Sequence, residues 1–90
     1  ENMSWFTGDD GTRYELFGVG GGSELAERLD APLLGQIPLV TELRAGGDSG
    51  HPIVLTDPDG DAAVAFARIA ERIEVELAPT RRYRKELKLL

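Results

Sequence analysis

The chain has 90 residues, about two-fifths of them apolar and under a third charged, and this composition suits one small domain with a single core. It contains no cysteine, which excludes a disulfide framework or a thiolate metal site and fits a reducing compartment, so cytoplasm is the expectation. The net charge of −6 is uneven: residues 1 to 78 carry five basic and fifteen acidic side chains, whereas residues 79 to 90 carry five basic and one acidic.

That division sets a domain over 1–78 apart from a basic tail or helix over 79–90. An acidic body repels phosphate backbones, and a short tail with Arg81, Arg82, Arg84, Lys85 and Lys88 does not dominate such a surface, so no nucleic-acid partner is expected. No apolar run approaches the ~18 residues that cross a bilayer, and no export signal opens the chain, so no membrane partner is expected either. The opening Glu1-Asn2-Met3-Ser4 has no initiator methionine at its head, which gives the expectation of a segment from a longer protein.

In chain order, Trp5 and Phe6 precede the turn-prone run Gly8-Asp9-Asp10-Gly11, and an extended piece over Arg13 to Phe17 completes a candidate hairpin. The glycines at 18, 20, 21 and 22 interrupt the chain before Ser23, which is positioned to cap a short helix from Ser23 to Leu29. Leu33 to Ile37 reads as a strand buried on both faces and stopped by Pro38. Thr41 is positioned to cap a second short helix that Gly46-Gly47 would end. Pro52 to Leu55 reads either as a strand or as a buried connection. Ala62, Phe66, Ile69, Ala70, Ile73 and Leu77 recur at steps of three and four, predicting a helix over 59–77 that stops before Pro79. Short strands alternating with amphipathic helices give an α/β class, but two or three such strands make a poor free-standing parallel sheet.

Candidate chemistry is sparse. Gly18-Val19-Gly20-Gly21-Gly22-Ser23 has the glycines of a phosphate cradle, yet its spacing matches neither a dinucleotide fingerprint nor a Walker A loop, and a flexible connection is the better reading. Asp57-Pro58-Asp59-Gly60-Asp61 opens like a calcium loop but has Ala62 at the turn-glycine position and Arg68 in place of the closing acid, which favours helix capping and dipole complementarity. His51 is the only histidine and reads as a loop residue. With it, Ser4, Ser23 and Ser49 do not assemble a triad, so no catalytic residue and no metal ligand is assigned.

Four motifs in succession, Glu1-Asn2-Met3-Ser4, Phe17-Gly18-Val19-Gly20-Gly21-Gly22, Gly35-Gln36-Ile37-Pro38-Leu39 and Gly47-Asp48-Ser49-Gly50-His51-Pro52-Ile53-Val54, resemble in order and spacing those of the Mrp/ApbC family of iron-sulfur carrier ATPases over about residues 1 to 77. That family belongs to the deviant-Walker P-loop ATPases related to MinD and the nitrogenase iron protein. The resemblance implies the C-terminal part of a P-loop NTPase parallel sheet with flanking helices, a homodimer, ATP with Mg2+ in the full-length protein, and an iron-sulfur apo-protein as client. Because the phosphate loop and magnesium ligands of such proteins lie upstream, the resemblance also implies that these residues alone do not hydrolyse ATP. It places Asn2 and Pro38 at the adenine, as base-pocket candidates. Asn2 as an amide both donates to and accepts from a purine edge, and Pro38 stands at a strand's C-terminal end.

One departure stands out. Members of that family follow the Asn-Met-Ser element with a Cys-x-x-Cys pair that holds a cluster across a dimer, whereas this chain has Thr7-Gly8-Asp9-Asp10-Gly11, without sulfur. An alternative from a different class is an interaction module in which exposed Trp5, Phe6 and the basic tail bind a partner protein. Unpaired strands in either case give an expectation of self-association or element swapping.

Overall fold

The structure, a computed structural model, describes residues 1–77, and the basic tail over 79–90 lies outside the described residues. The chain begins with a segment, residues 1–5, that is hydrogen-bonded to residues 35–39. It then forms a small antiparallel hairpin of β1 (Phe6–Thr7) and β2 (Arg13–Tyr14), in register Phe6 with Tyr14 and Thr7 with Arg13. Four helices follow: α1 (Gly21–Arg28), α2 (Thr41–Ser49), α3 (Ile53–Thr56) and α4 (Asp61–Arg72), the last continuing into a wider π turn over Ile73–Leu77.

The predicted hairpin forms, but its second strand pairs over only two residues. The chain bends away at Gly18, whose N–H donates to the Glu15 carbonyl at 3.3 Å and whose positive φ of 85° redirects the residues that follow. The turn between the strands is tied by the Thr12 amide, which donates to Asp10 Oδ1 at 2.9 Å. That bond, with a further contribution from the Thr12 hydroxyl, holds the Asp10 carboxyl below its usual range. Because the folded value is depressed, the turn gains from this contact above the unfolded carboxylate range and loses it as pH falls through the folded value. In an acid titration followed by NMR, the Thr12 amide is expected to shift with a midpoint below that of an unstructured aspartate. A midpoint at or above that value contradicts the assigned contact.

Ser23 does not cap α1. The helix starts two residues earlier, with left-handed Gly20 (φ 86°) as N-cap and the Glu24 amide donating to the Gly20 carbonyl at 3.0 Å. Ser23 therefore sits inside the first turn. Gly22 lies so close to Glu1 that an added Cβ would meet the Glu1 carboxylate at 2.9 Å, so glycine here permits the approach of the first segment.

No regular strand forms over Leu33 to Ile37, and among the described residues the only sheet is the antiparallel hairpin. The segment instead hydrogen-bonds to residues 1–5: the Glu1 nitrogen donates to the Gly35 carbonyl (2.9 Å), Ile37 N–H to Glu1 (2.8 Å), Ser4 N–H to Ile37 (2.8 Å) and Leu39 N–H to Trp5 (2.7 Å). The order of these bonds shows two segments running in the same direction. Met3, at φ 53°, sits between the second and third of them and breaks the alternation that a ladder needs. Pro38 falls between the donating residues Ile37 and Leu39, so its missing N–H leaves no gap.

α2 begins at Thr41 itself, with extended Val40 as N-cap and no side-chain cap, and it runs through Gly46-Gly47 to end at left-handed Gly50 (φ 78°). The reason lies at Gly46: its carbonyl accepts the His51 N–H at 2.8 Å, and the returning chain comes so close that a Cβ at this position would strike the His51 carbonyl oxygen. The stretch after Pro52, left open as strand or connection, is the single turn α3.

α4 confirms the three-and-four periodicity from Asp61 onward. Its N-cap is Gly60 in extended conformation, and the aspartates at 57, 59 and 61 make no side-chain cap, so the capping role expected of them is not found; Asp61 does stand in the first turn, where a negative charge is favoured. The core is small: Ile53, Ala62 and Ala63 are buried, with Val40 and Leu43 packed partly against them. By contrast Phe17, Val19, Leu55 and Val75 are each at least three-quarters exposed, and Leu25 and Leu29 on α1 more than half. These exposed side chains form a large apolar surface for so small a core.

Candidate functional site

The two base-pocket candidates come from the paired segments. Asn2 lies in the turn at residues 2–3 inside the first segment and is exposed, while Pro38 is buried near the end of the second. Ile37 bonds to Glu1 and Ser4, on either side of Asn2, so Asn2 lies opposite Ile37 and one residue short of Pro38. Pro38 lines a cleft of about 210 Å³ with Trp5, Phe6, Thr7 and Thr41, and Asn2 does not border that cleft. Gln36 Nε2 donates to Glu1 Oε2 at 2.9 Å, a side-chain tie that fixes the two segments in register just before the candidates.

Asp9, Glu42 and Asp61 also border the Pro38 cleft. These carboxylates oppose the binding of phosphate at this cleft.

The remaining sequence candidates are scattered. The Gly18–Ser23 run leads into α1 with Gly20 as its cap. His51 Nδ1 lies 3.1 Å from Ser49 Oγ in an exposed loop, and Ser4 is buried with its amide on Ile37, so the lone histidine and Ser4 belong to different environments. Asp57 folds against Gly60, its carboxylate occupying the space a Cβ would need there. Among the described residues no group of three or more His, Cys, Asp or Glu side chains converges as a metal site.

At the position of the missing cysteine pair stands the hydrogen-bonded hairpin, so these residues offer no thiolate to an iron-sulfur cluster. Phe6 and Tyr14 stack at 6.3 Å between ring centroids, and the Arg13 guanidinium lies 4.1 Å from the centroid of Trp5. Trp5 is half-buried under that cation, not exposed as the interaction-module reading expects; Phe6 is 38 % exposed.

Two contacts escape a sequence reading. Arg72 Nη1 donates to the Leu33 carbonyl at 2.6 Å, tying the end of α4 to the second segment across 39 residues of chain. Trp5 and Asp61 each border both the Pro38 cleft and a neighbouring cavity that contains Arg13, Arg68 and Arg72. The signal for the second was available in α4, where Asp61, Ala65, Arg68 and Arg72 recur at helical spacing opposite the apolar stripe.

The sequence profile described as "ParA: NUBPL iron-transfer P-loop NTPase" matches residues 1–74. Among curated relatives, an iron-sulfur cluster carrier protein of Synechocystis is 47% identical over 75 residues, covering 81% of this chain and 21% of the relative. That of Mycobacterium leprae is 51% identical over 77 residues, covering 79% and 20%, and that of Saccharolobus solfataricus 39% identical over 74 residues, covering 81% and 25%. The chain thus spans about a fifth to a quarter of the length of the relatives it matches.

Proposed function

Because the chain belongs to the family of NUBPL iron-transfer P-loop NTPases, we propose that it is the C-terminal part of the ATP-binding domain of an Mrp/ApbC-like cytoplasmic ATPase that works in iron-sulfur cluster assembly or carriage. In that role residues 1–5 and 35–39 are neighbouring strands at the end of a larger parallel sheet, and Asn2 and Pro38 contact the adenine. The observation that supports the reading is the parallel run of these two segments, in which Asn2 lies opposite Ile37 and beside Pro38, itself near a segment's C-terminal end, where α/β sheets take their ligands.

In this reading ATP would supply the phosphoryl group and Mg2+ the charge neutralisation, with the phosphates and the metal held by other residues of the protein. What these residues do is bind and orient: the Asn2 amide offers a donor and an acceptor to a purine edge, and buried Pro38 gives a rigid wall. The exposed apolar surfaces of α1 and of the 16–19 loop are covered in this reading by the rest of the nucleotide domain, and the whole acts as a homodimer. A cluster would be cargo bound by other residues of the protein or its client, since the hairpin carries no sulfur.

In the intact protein, Asn2→Ala is expected to weaken ATP about tenfold, the cost of unpairing one or two polar contacts. Equilibrium titration with a fluorescent ATP analogue checks this, and unchanged affinity removes Asn2 from the pocket.

A further inference from the structure

Residues 1 to 77 contain five basic side chains against fifteen acidic ones, yet three of the five, Arg13, Arg68 and Arg72, line a single cavity of about 460 Å³ between the hairpin, the 34–36 segment and α4. Arg68 and Arg72 are like charges four residues apart on one helix face, a spacing at which they repel.

Two of the three are fixed from outside the cavity lining. Arg13 gives its Nε to Glu15 Oε1 at 2.8 Å and rests on Trp5, while its Nη groups make no hydrogen bond among the described residues. Arg72 is held by Leu33 and by Glu76, at 2.6 Å and 3.1 Å. Arg68 makes no ion pair among the described residues. Asp61 is the one carboxylate in the lining.

We infer that this cavity is an anion site for a phosphate group, bound by Arg68 and the Nη groups of Arg13, with Arg72 as a positioning residue that holds the α4 side of the cavity against Leu33. Guanidinium forks match the oxygen spacing of phosphate, and Arg68 brings to the cavity a charge that makes no ion pair among the described residues. The site is distinct from the base contacts proposed for Asn2 and Pro38 and does not depend on them. The cavity exceeds the size of the bare ion, so the phosphate arrives either free or as part of a small phosphate ester.

The test is calorimetric titration of the intact protein, and of its Arg68→Gln and Arg68→Lys variants, with inorganic phosphate and with glycerol phosphate. Arg68→Gln should weaken phosphate about tenfold, Arg68→Lys should recover part of the loss, and ATP affinity should stay unchanged in both. Tighter glycerol phosphate identifies an ester as the natural ligand, and equal affinity identifies the free ion. Arg68 is exposed, so circular dichroism of the variants should match the parent. Equal phosphate affinity in parent and Arg68→Gln overturns the site, as does a parallel loss of ATP affinity, which would assign the arginine to the nucleotide's own phosphates.

Discussion

Gly46→Ala is expected to destabilise the chain by about 2 kcal/mol, while the same change at the adjacent Gly47 stabilises it by about 0.5 to 1 kcal/mol. Both glycines lie inside α2, and helix propensity alone predicts a gain of about 1 kcal/mol at either position. Space decides between them. A Cβ on Gly47 meets nothing within 4 Å, whereas one on Gly46 strikes the His51 carbonyl, a backbone atom that cannot rotate away. Relief requires moving the α2–α3 connection and loosening the His51 N–H bond to Gly46, at a cost above the propensity gain. Paired thermal melts read the outcome: for a domain of this size a 2 kcal/mol loss lowers the midpoint by about 8 to 16 °C. A rise in both melts would show that the close approach at Gly46 is not a constraint.

The second large effect is at Ile53. It is 4% exposed and is the largest side chain in a core whose other buried members are alanines, so α2, α3 and α4 meet through it. Ile53→Ala should cost about 3 kcal/mol, from lost transfer free energy and a cavity that Ala62 and Ala63 are too short to fill. Urea unfolding is the measurement, with a lower midpoint and an unchanged slope as the expected result. Leu55→Ala, two residues away at 76% exposure, should shift the midpoint little in this chain alone. Comparable losses at the two positions would mean that the core is not centred on Ile53.

The contrast between those residues shows what the sequence made legible. The stripe Ala62, Phe66, Ile69, Ala70 and Ile73 announced α4, because a helix's burial pattern is written locally at steps of three and four. The hairpin was legible for the same reason, through Gly8-Asp9-Asp10-Gly11. Leu33 to Ile37 read as a strand from its apolar run alone, but a strand exists only by pairing, and its neighbour here is the five-residue opening segment broken at Met3. The caps at Ser23 and Thr41 were misplaced because glycines with positive φ and an extended Val40 set those boundaries instead, and Gly46-Gly47 read as a stop because the collision with His51 is a tertiary fact. At the site, Asn2 and Pro38 came from a family resemblance, and the geometry adds that they lie on adjacent parallel segments. Arg72 on Leu33 and Arg13 over Trp5 stayed hidden, since nothing local links residues so far apart in sequence or on opposite strands of a hairpin.

The central claim is that these residues supply a wall of a nucleotide site while the phosphoryl chemistry belongs to the remainder of the protein. Phosphate release from ATP and Mg2+ measures it most directly, comparing the ninety-residue chain with the intact protein at equal concentration. The prediction is turnover by the intact protein and none above background by the chain alone. Hydrolysis by the isolated chain, or its absence in the intact protein, would contradict it.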